Sequence, residues 1–75
     1  MEEKFLKAFK EAMEMENSTV SLNDRFRDYE GWSSLKELSV LAMMDSEFGV
    51  ELEMKDFNKL TTVGDLLDFI KTHNR

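Results

Sequence analysis

Phe5, Phe9 and Met13 recur at intervals of four residues, with Leu6 and Ala12 beside them and Lys and Glu on the remaining positions of "MEEKFLKAFKEAMEME". That spacing predicts an amphipathic helix. It should end near Asn17-Ser18-Thr19, residues that compete with a helix by bonding to their own backbone. From Asn17 to Trp32 the periodicity lapses. Val20, Leu22, Phe26, Tyr29 and Trp32 are apolar or aromatic, but Asn23, Asp24, Asp28 and Gly31 interrupt any regular pattern. So long a connection is uncommon unless it packs on itself or carries function. A loop laid across the helices, with Phe26 buried, is expected.

A second helix is predicted from Ser33 or Ser34 to Phe48, with Gly49 as its stop. Ser34-Leu35-Lys36-Glu37 has the spacing of a capping box, and Leu35, Leu38, Leu41 or Ala42, and Met44 or Phe48 make its expected core stripe. Val40-Leu41-Ala42-Met43-Met44 is apolar on nearly all sides, which leaves two readings open. One is burial against two neighbours at once. The other is an apolar contact surface or a methionine-lined pocket. In "VELEMKDFNKL" a short alternation at Val50 and Leu52 has no second strand to pair with. Met54, Phe57 and Leu60 predict a brief helical turn instead. Thr62-Val63-Gly64-Asp65 opens a last helix with Val63, Leu66, Leu67 and Ile70 on one face, and Lys71 near its end suits the helix dipole. The expected fold is all-α. It is a single domain over residues 1–75, a four-helix bundle of three main helices and one short helix, with a long loop between the first two.

Composition narrows the chemistry. A net charge of −6 on 75 residues argues against nucleic acid, whose phosphates need clustered Lys and Arg, and favours partners with basic surfaces. Between Glu37 and Met54 the acids Glu37, Asp45, Glu47, Glu51 and Glu53 meet no Lys or Arg. The chain has no Cys and one His, His73, near its end. The usual zinc sites and a Ser-His-Asp triad are therefore not expected. Neither is a disulfide framework, which suits a reducing compartment. The longest apolar run, Val40 to Met44, is too short to span a bilayer, and the start lacks the pattern of a signal peptide. The reading is a cytoplasmic protein that performs no catalysis. What remains is Trp32-Ser33-Ser34-Leu35, a serine pair after a long loop and at a helix start, where backbone N–H groups favour a bound phosphate.

These residues carry a resemblance. "RFRDYEGWSSLKEL", "EFGVEL" and "KLTTVGDLLDFI" make most of the chain similar to the acyl carrier protein family, in which an Asp-Ser-Leu motif starts the second helix. The resemblance implies that Ser34, directly before Leu35, bears 4′-phosphopantetheine from coenzyme A, and that acyl groups ride on its thiol. It implies a monomer whose partners are a phosphopantetheinyl transferase and acyl-loading and acyl-processing enzymes with basic patches, in fatty acid, polyketide or related synthesis. The implied partner face is Leu35, Glu37, Val40, Met43, Asp45, Glu47, Glu51 and Glu53, and the implied acyl pocket is Leu41, Met44 and Phe48. The chain departs from the family at several points. Ser33 stands where the family has Asp, and it can keep the capping role beside Ser34 but not the charge. Lys36 and Ser39 stand at positions that are often acidic, Glu30 where leucine is usual, and Trp32 is bulkier than most residues there. Two rivals stay open. A peptidyl or aminoacyl carrier shares the Ser-Leu step but usually has a Gly-Gly pair before the serine. A helical interaction module without the modification would use Ser34 only as a helix cap.

Overall fold

The computed structural model describes residues 1–73, and in them the chain forms four helices: α1 (Glu2–Met13), α2 (Ser34–Phe48), α3 (Met54–Phe57) and α4 (Val63–His73). No strand forms among the described residues; Val50 and Leu52 lie in irregular backbone, and one isolated bridge joins Arg25 to Thr62. The all-α reading holds.

Helix α1 buries Phe5, Phe9 and Met13, the residues its spacing selects. It stops earlier than expected. Glu14 is already left-handed at φ 57°, and the Met15 N–H reaches back to the Lys10 carbonyl at 2.8 Å. That pairing satisfies carbonyls the helix end would otherwise leave open. Gly49 closes α2 in the same way, with φ 66° and the Val50 N–H on the Met44 carbonyl. Here glycine is the natural choice, because it adopts positive φ without a Cβ clash.

The core stripe of α2 differs from the expectation. Leu35 and Leu38 are 76 % and 60 % exposed, whereas Val40, Met43, Met44 and Phe48 are buried. The physical reason is helical geometry. The stripe through Val40, Met44 and Phe48 continues backwards, at intervals of four, onto Lys36, and Leu35 and Leu38 fall off it. Lys36 and Glu37 are accordingly the half-buried residues of the first turn.

The long loop is ordered by its own contacts. A single 3₁₀ turn, Phe26–Asp28, drives Phe26 fully into the core, as expected. Asp24 accepts hydrogen bonds from the Ser21 N–H at 2.9 Å and the Tyr29 hydroxyl at 2.7 Å. Burial, and then the hydrogen bond to Asp24, push the Tyr29 phenol above its ordinary range. The loop also caps α4. The N–H groups of Val63 and Gly64 donate to the carbonyls of Asp24 and Leu22 at 2.9 and 2.8 Å. A Cβ on Gly64 would lie 3.0 Å from that Leu22 oxygen, which explains a glycine in the first turn of a helix. The box at α4 forms as its sequence predicts. The Asp65 N–H donates to Thr62 Oγ1 at 3.1 Å, and the Asp65 carboxylate accepts from the N–H groups of Thr62 and Thr61 at 3.0 and 2.8 Å.

Candidate functional site

Ser34 is the first residue of α2 and is exposed. Three local features place it there. Gly31, at φ 86°, turns the chain, and the Trp32 N–H bonds the Tyr29 carbonyl at 3.1 Å. Ser33 is extended and acts as the cap: its hydroxyl accepts from the Lys36 N–H at 3.4 Å, and its carbonyl accepts from the Glu37 N–H at 3.0 Å. The capping box expected of Ser34 and Glu37 is therefore corrected by one residue, since a cap must precede the first helical residue. The consequence is chemical. Ser33 holds the helix start, and Ser34 Oγ is left over for another task.

The surroundings suit a phosphodiester at Ser34. Helix α2 has fifteen residues, so its start carries a partial positive charge and first-turn N–H groups without intrahelical acceptors. An exposed primary hydroxyl at that end can take a phosphate-linked arm without burying it. That exposed hydroxyl fits the phosphate end of a 4′-phosphopantetheine arm.

Beneath the motif lies a ring cluster. Phe26 meets Trp32 edge-on at 5.4 Å, Phe57 of α3 lies 5.5 Å from Phe26, and Trp32 stacks on Phe57 at 6.5 Å with planes 17° apart. The Arg27 guanidinium covers Phe26 and Phe57 at 4.6 and 4.8 Å. It also donates to the Phe57 carbonyl at 2.8 Å and to the Leu60 carbonyl. Arg27 thus fastens the end of α3 to the loop. Sequence reasoning missed it, and its one visible signal was its place directly after the loop's buried aromatic.

A second tie crosses from α1. Lys36 Nζ contacts Glu14 Oε1 at 2.6 Å, where the Lys36 hydrogen bond, and then its charge, hold the Glu14 carboxyl below its ordinary value. The left-handed end of α1 aims Glu14 at the first turn of α2, so this pairing also needed the fold to appear.

The expected partner residues divide. Leu35, Asp45, Glu47, Glu51 and Glu53 are exposed and Glu37 is half-buried. Val40 and Met43 are 0 % and 6 % exposed, so neither offers the broad surface contact expected of it; Val40 lies on the stripe described above, and Met43 lines the groove between α1 and α2. Leu38 is the exposed apolar residue that the expectation had placed in the core. Of the expected acyl-pocket residues, Leu41 is half-buried, Met44 is fully buried, and Phe48 packs its ring 6.2 Å from that of Phe5. An open groove of about 520 Å³ also runs between α1 and α2, lined by Ala8, Ala12, Ala42 and Met43 together with Lys7 and Glu47. His73 is exposed and stacks on Phe69, and no cluster of metal-ligating side chains exists among the described residues. No helix among them is long and apolar enough to cross a membrane.

Two comparisons bear on this arrangement. The family model described as phosphopantetheine attachment site matches residues 3–70. The chain is also similar to an acyl carrier protein of Rickettsia bellii (strain RML369-C), at 26 % identity over 73 residues, which is 97 % of this chain and 85 % of that protein.

Proposed function

Because the chain belongs to the phosphopantetheine attachment-site family, whose members carry 4′-phosphopantetheine covalently, we propose that Ser34 Oγ is the attachment point and that the protein is an acyl carrier. The observation that carries this reading is the division of labour between the two serines: Ser33 is committed to capping α2, and Ser34 is exposed at the positive end of that helix. In the loading step a bond forms between Ser34 Oγ and the phosphorus of coenzyme A nearest the pantetheine. The bond to adenosine 3′,5′-bisphosphate breaks, and the hydroxyl proton passes to the transferase. When bound, the group supplies a thiol that holds an acyl chain as a reactive thioester. The chain's own residues orient the arm and present a docking face; the chemistry belongs to partner enzymes. Leu35 and Leu38, both exposed, form the apolar part of that face, and Glu37, Asp45, Glu47, Glu51 and Glu53 its acidic part, suited to basic patches. The setting is cytoplasmic fatty acid, polyketide or related specialised synthesis.

Intact mass after incubation with coenzyme A and a broad-specificity phosphopantetheinyl transferase tests the reading. The wild type and Ser33→Ala should gain one phosphopantetheine and Ser34→Ala none. Modification that survives in Ser34→Ala overturns the site. No gain with several transferases would favour the unmodified interaction module.

A further inference from the structure

Resting on Ser34 as the attachment point, we propose that Trp32 is a second point of contact for the arm: its open ring surface seats the gem-dimethyl end of 4′-phosphopantetheine and holds the arm at the loop end of α2.

The chemistry of the arm fixes what must lie near Ser34. One methylene beyond the phosphate comes a quaternary carbon with two methyl groups, followed by a hydroxyl and an amide carbonyl. An apolar knob with oxygen acceptors on either side therefore stays close to Ser34 Oγ, wherever the thiol end travels. The residues flanking the serine either cover that knob or leave it in water.

Trp32, two residues before Ser34, has a matching surface. Of the three rings beneath the motif, Phe26 and Phe57 are fully buried and lie under the Arg27 guanidinium, whereas Trp32 stays half-exposed. Its ring stacks on Phe57 and meets Phe26 edge-on, and no further ring or cation covers the rest of it among the described residues. The indole N–H makes no hydrogen bond to the described residues, yet it is not shut away from water. An apolar surface and a spare donor thus belong to one side chain, the combination that suits tryptophan to contacts that are apolar at one end and wet at the other. The two phenylalanines already fix the ring, so seating the methyl groups costs little further side-chain entropy.

Neighbouring cations are engaged elsewhere. Lys36 is drawn to Glu14 of α1 at 2.6 Å, and Arg27 donates to the carbonyls of Phe57 and Leu60. The phosphate is left with the first-turn N–H groups of α2, and the next group along the arm with Trp32. An arm resting there leaves Leu35 and Leu38, the exposed apolar pair, to the partner enzyme.

The test loads isotope-labelled protein with an unlabelled arm from coenzyme A, confirms the gain of one phosphopantetheine by intact mass, and reads the two methyl signals of the arm by filtered NMR. In the wild type these signals should separate, move upfield under the ring and show cross-relaxation to the indole protons. The chain has a single tryptophan, so its one indole N–H signal should also shift on loading. Trp32→Phe keeps a ring without the donor and should retain the upfield displacement. Trp32→Leu keeps apolar bulk without a ring and should return the methyl signals to their positions in free coenzyme A. Should that variant fail to fold, the wild-type spectrum decides alone. Wild-type methyl signals at their free positions, or cross-relaxation to Leu35 and not to Trp32, overturn the contact while the mass gain leaves the Ser34 reading intact. No mass gain overturns the Ser34 reading itself, and the proposal with it.

Discussion

Arg27→Met removes the fastening between the long loop and α3 while keeping a side chain of similar reach. Arg27 makes two hydrogen bonds to backbone carbonyls and lies over two rings at 4.6 and 4.8 Å. Hydrogen bonds from a charged donor contribute about 1.5–3 kcal/mol each in net terms. The lower figure applies, because Leu60 is only half-buried and water can replace part of what is lost. The two cation–π contacts add about 0.5–1 kcal/mol each, and the methionine sulfur over the same rings returns about 0.3–1.5 kcal/mol. The expected loss is about 2.5–4.7 kcal/mol. A 75-residue domain has roughly 4–11 kcal/mol of stability in all, so this is a large share. Urea unfolding followed by the fluorescence of the single tryptophan and by helical circular dichroism measures it. Trp32 sits in the affected cluster, so its emission should shift even where the fold survives. Arg27→Lys keeps the charge but not the planar fork and should fall between the two. A midpoint change worth less than about 0.5 kcal/mol, at unchanged slope, would refute the idea that the cation holds α3 in place.

Other outcomes follow from single contacts. Ser33→Ala should destabilise by about 0.5–1 kcal/mol through loss of the cap, and Ser34→Ala by less, as read by thermal unfolding; the reverse order would return the cap to Ser34. Gly64→Ala should lower the melting temperature despite alanine's higher helix propensity, because the added methyl meets the Leu22 carbonyl, and a rise would show that the loop yields freely. Hydrogen bonds from the backbone of Thr62 and then Thr61 hold the folded Asp65 carboxyl below its ordinary 3.8. Its contribution is therefore full above the ordinary value and is lost as the pH falls through the folded pKa, and Asp65→Asn should flatten that acid limb in a pH series of unfolding curves. An unchanged acid limb would assign the loss to other carboxylates.

Much of the architecture was legible in the chain. The four-residue spacing of Phe5, Phe9 and Met13, the glycine after Phe48 and the Thr62–Asp65 box are local signals, and the structure follows each because neighbours along the chain can satisfy them without help. The apolar stripe of α2 was not legible. Val40 to Met44 presents apolar residues on nearly every side, so periodicity could not choose a face; the elements packed around the helix chose it and left Leu35 and Leu38 in water. Val40 and Met43, assigned to the docking face, lie buried for that reason. The choice between Ser33 and Ser34 as cap turns on one backbone conformation, which two adjacent serines do not reveal.

The sequence by itself determined the number and type of the helices, the buried aromatic of the loop and the motif that holds Ser34, since these rest on spacing and on residues within a turn or two. Only the tertiary structure decided what lies around that serine. The Arg27 fastening and the Lys36–Glu14 pair join residues 30, 33 and 22 positions apart, and the Trp32–Phe57 stack joins two elements that share no local pattern. Such contacts are set by how helices and loop pack against one another.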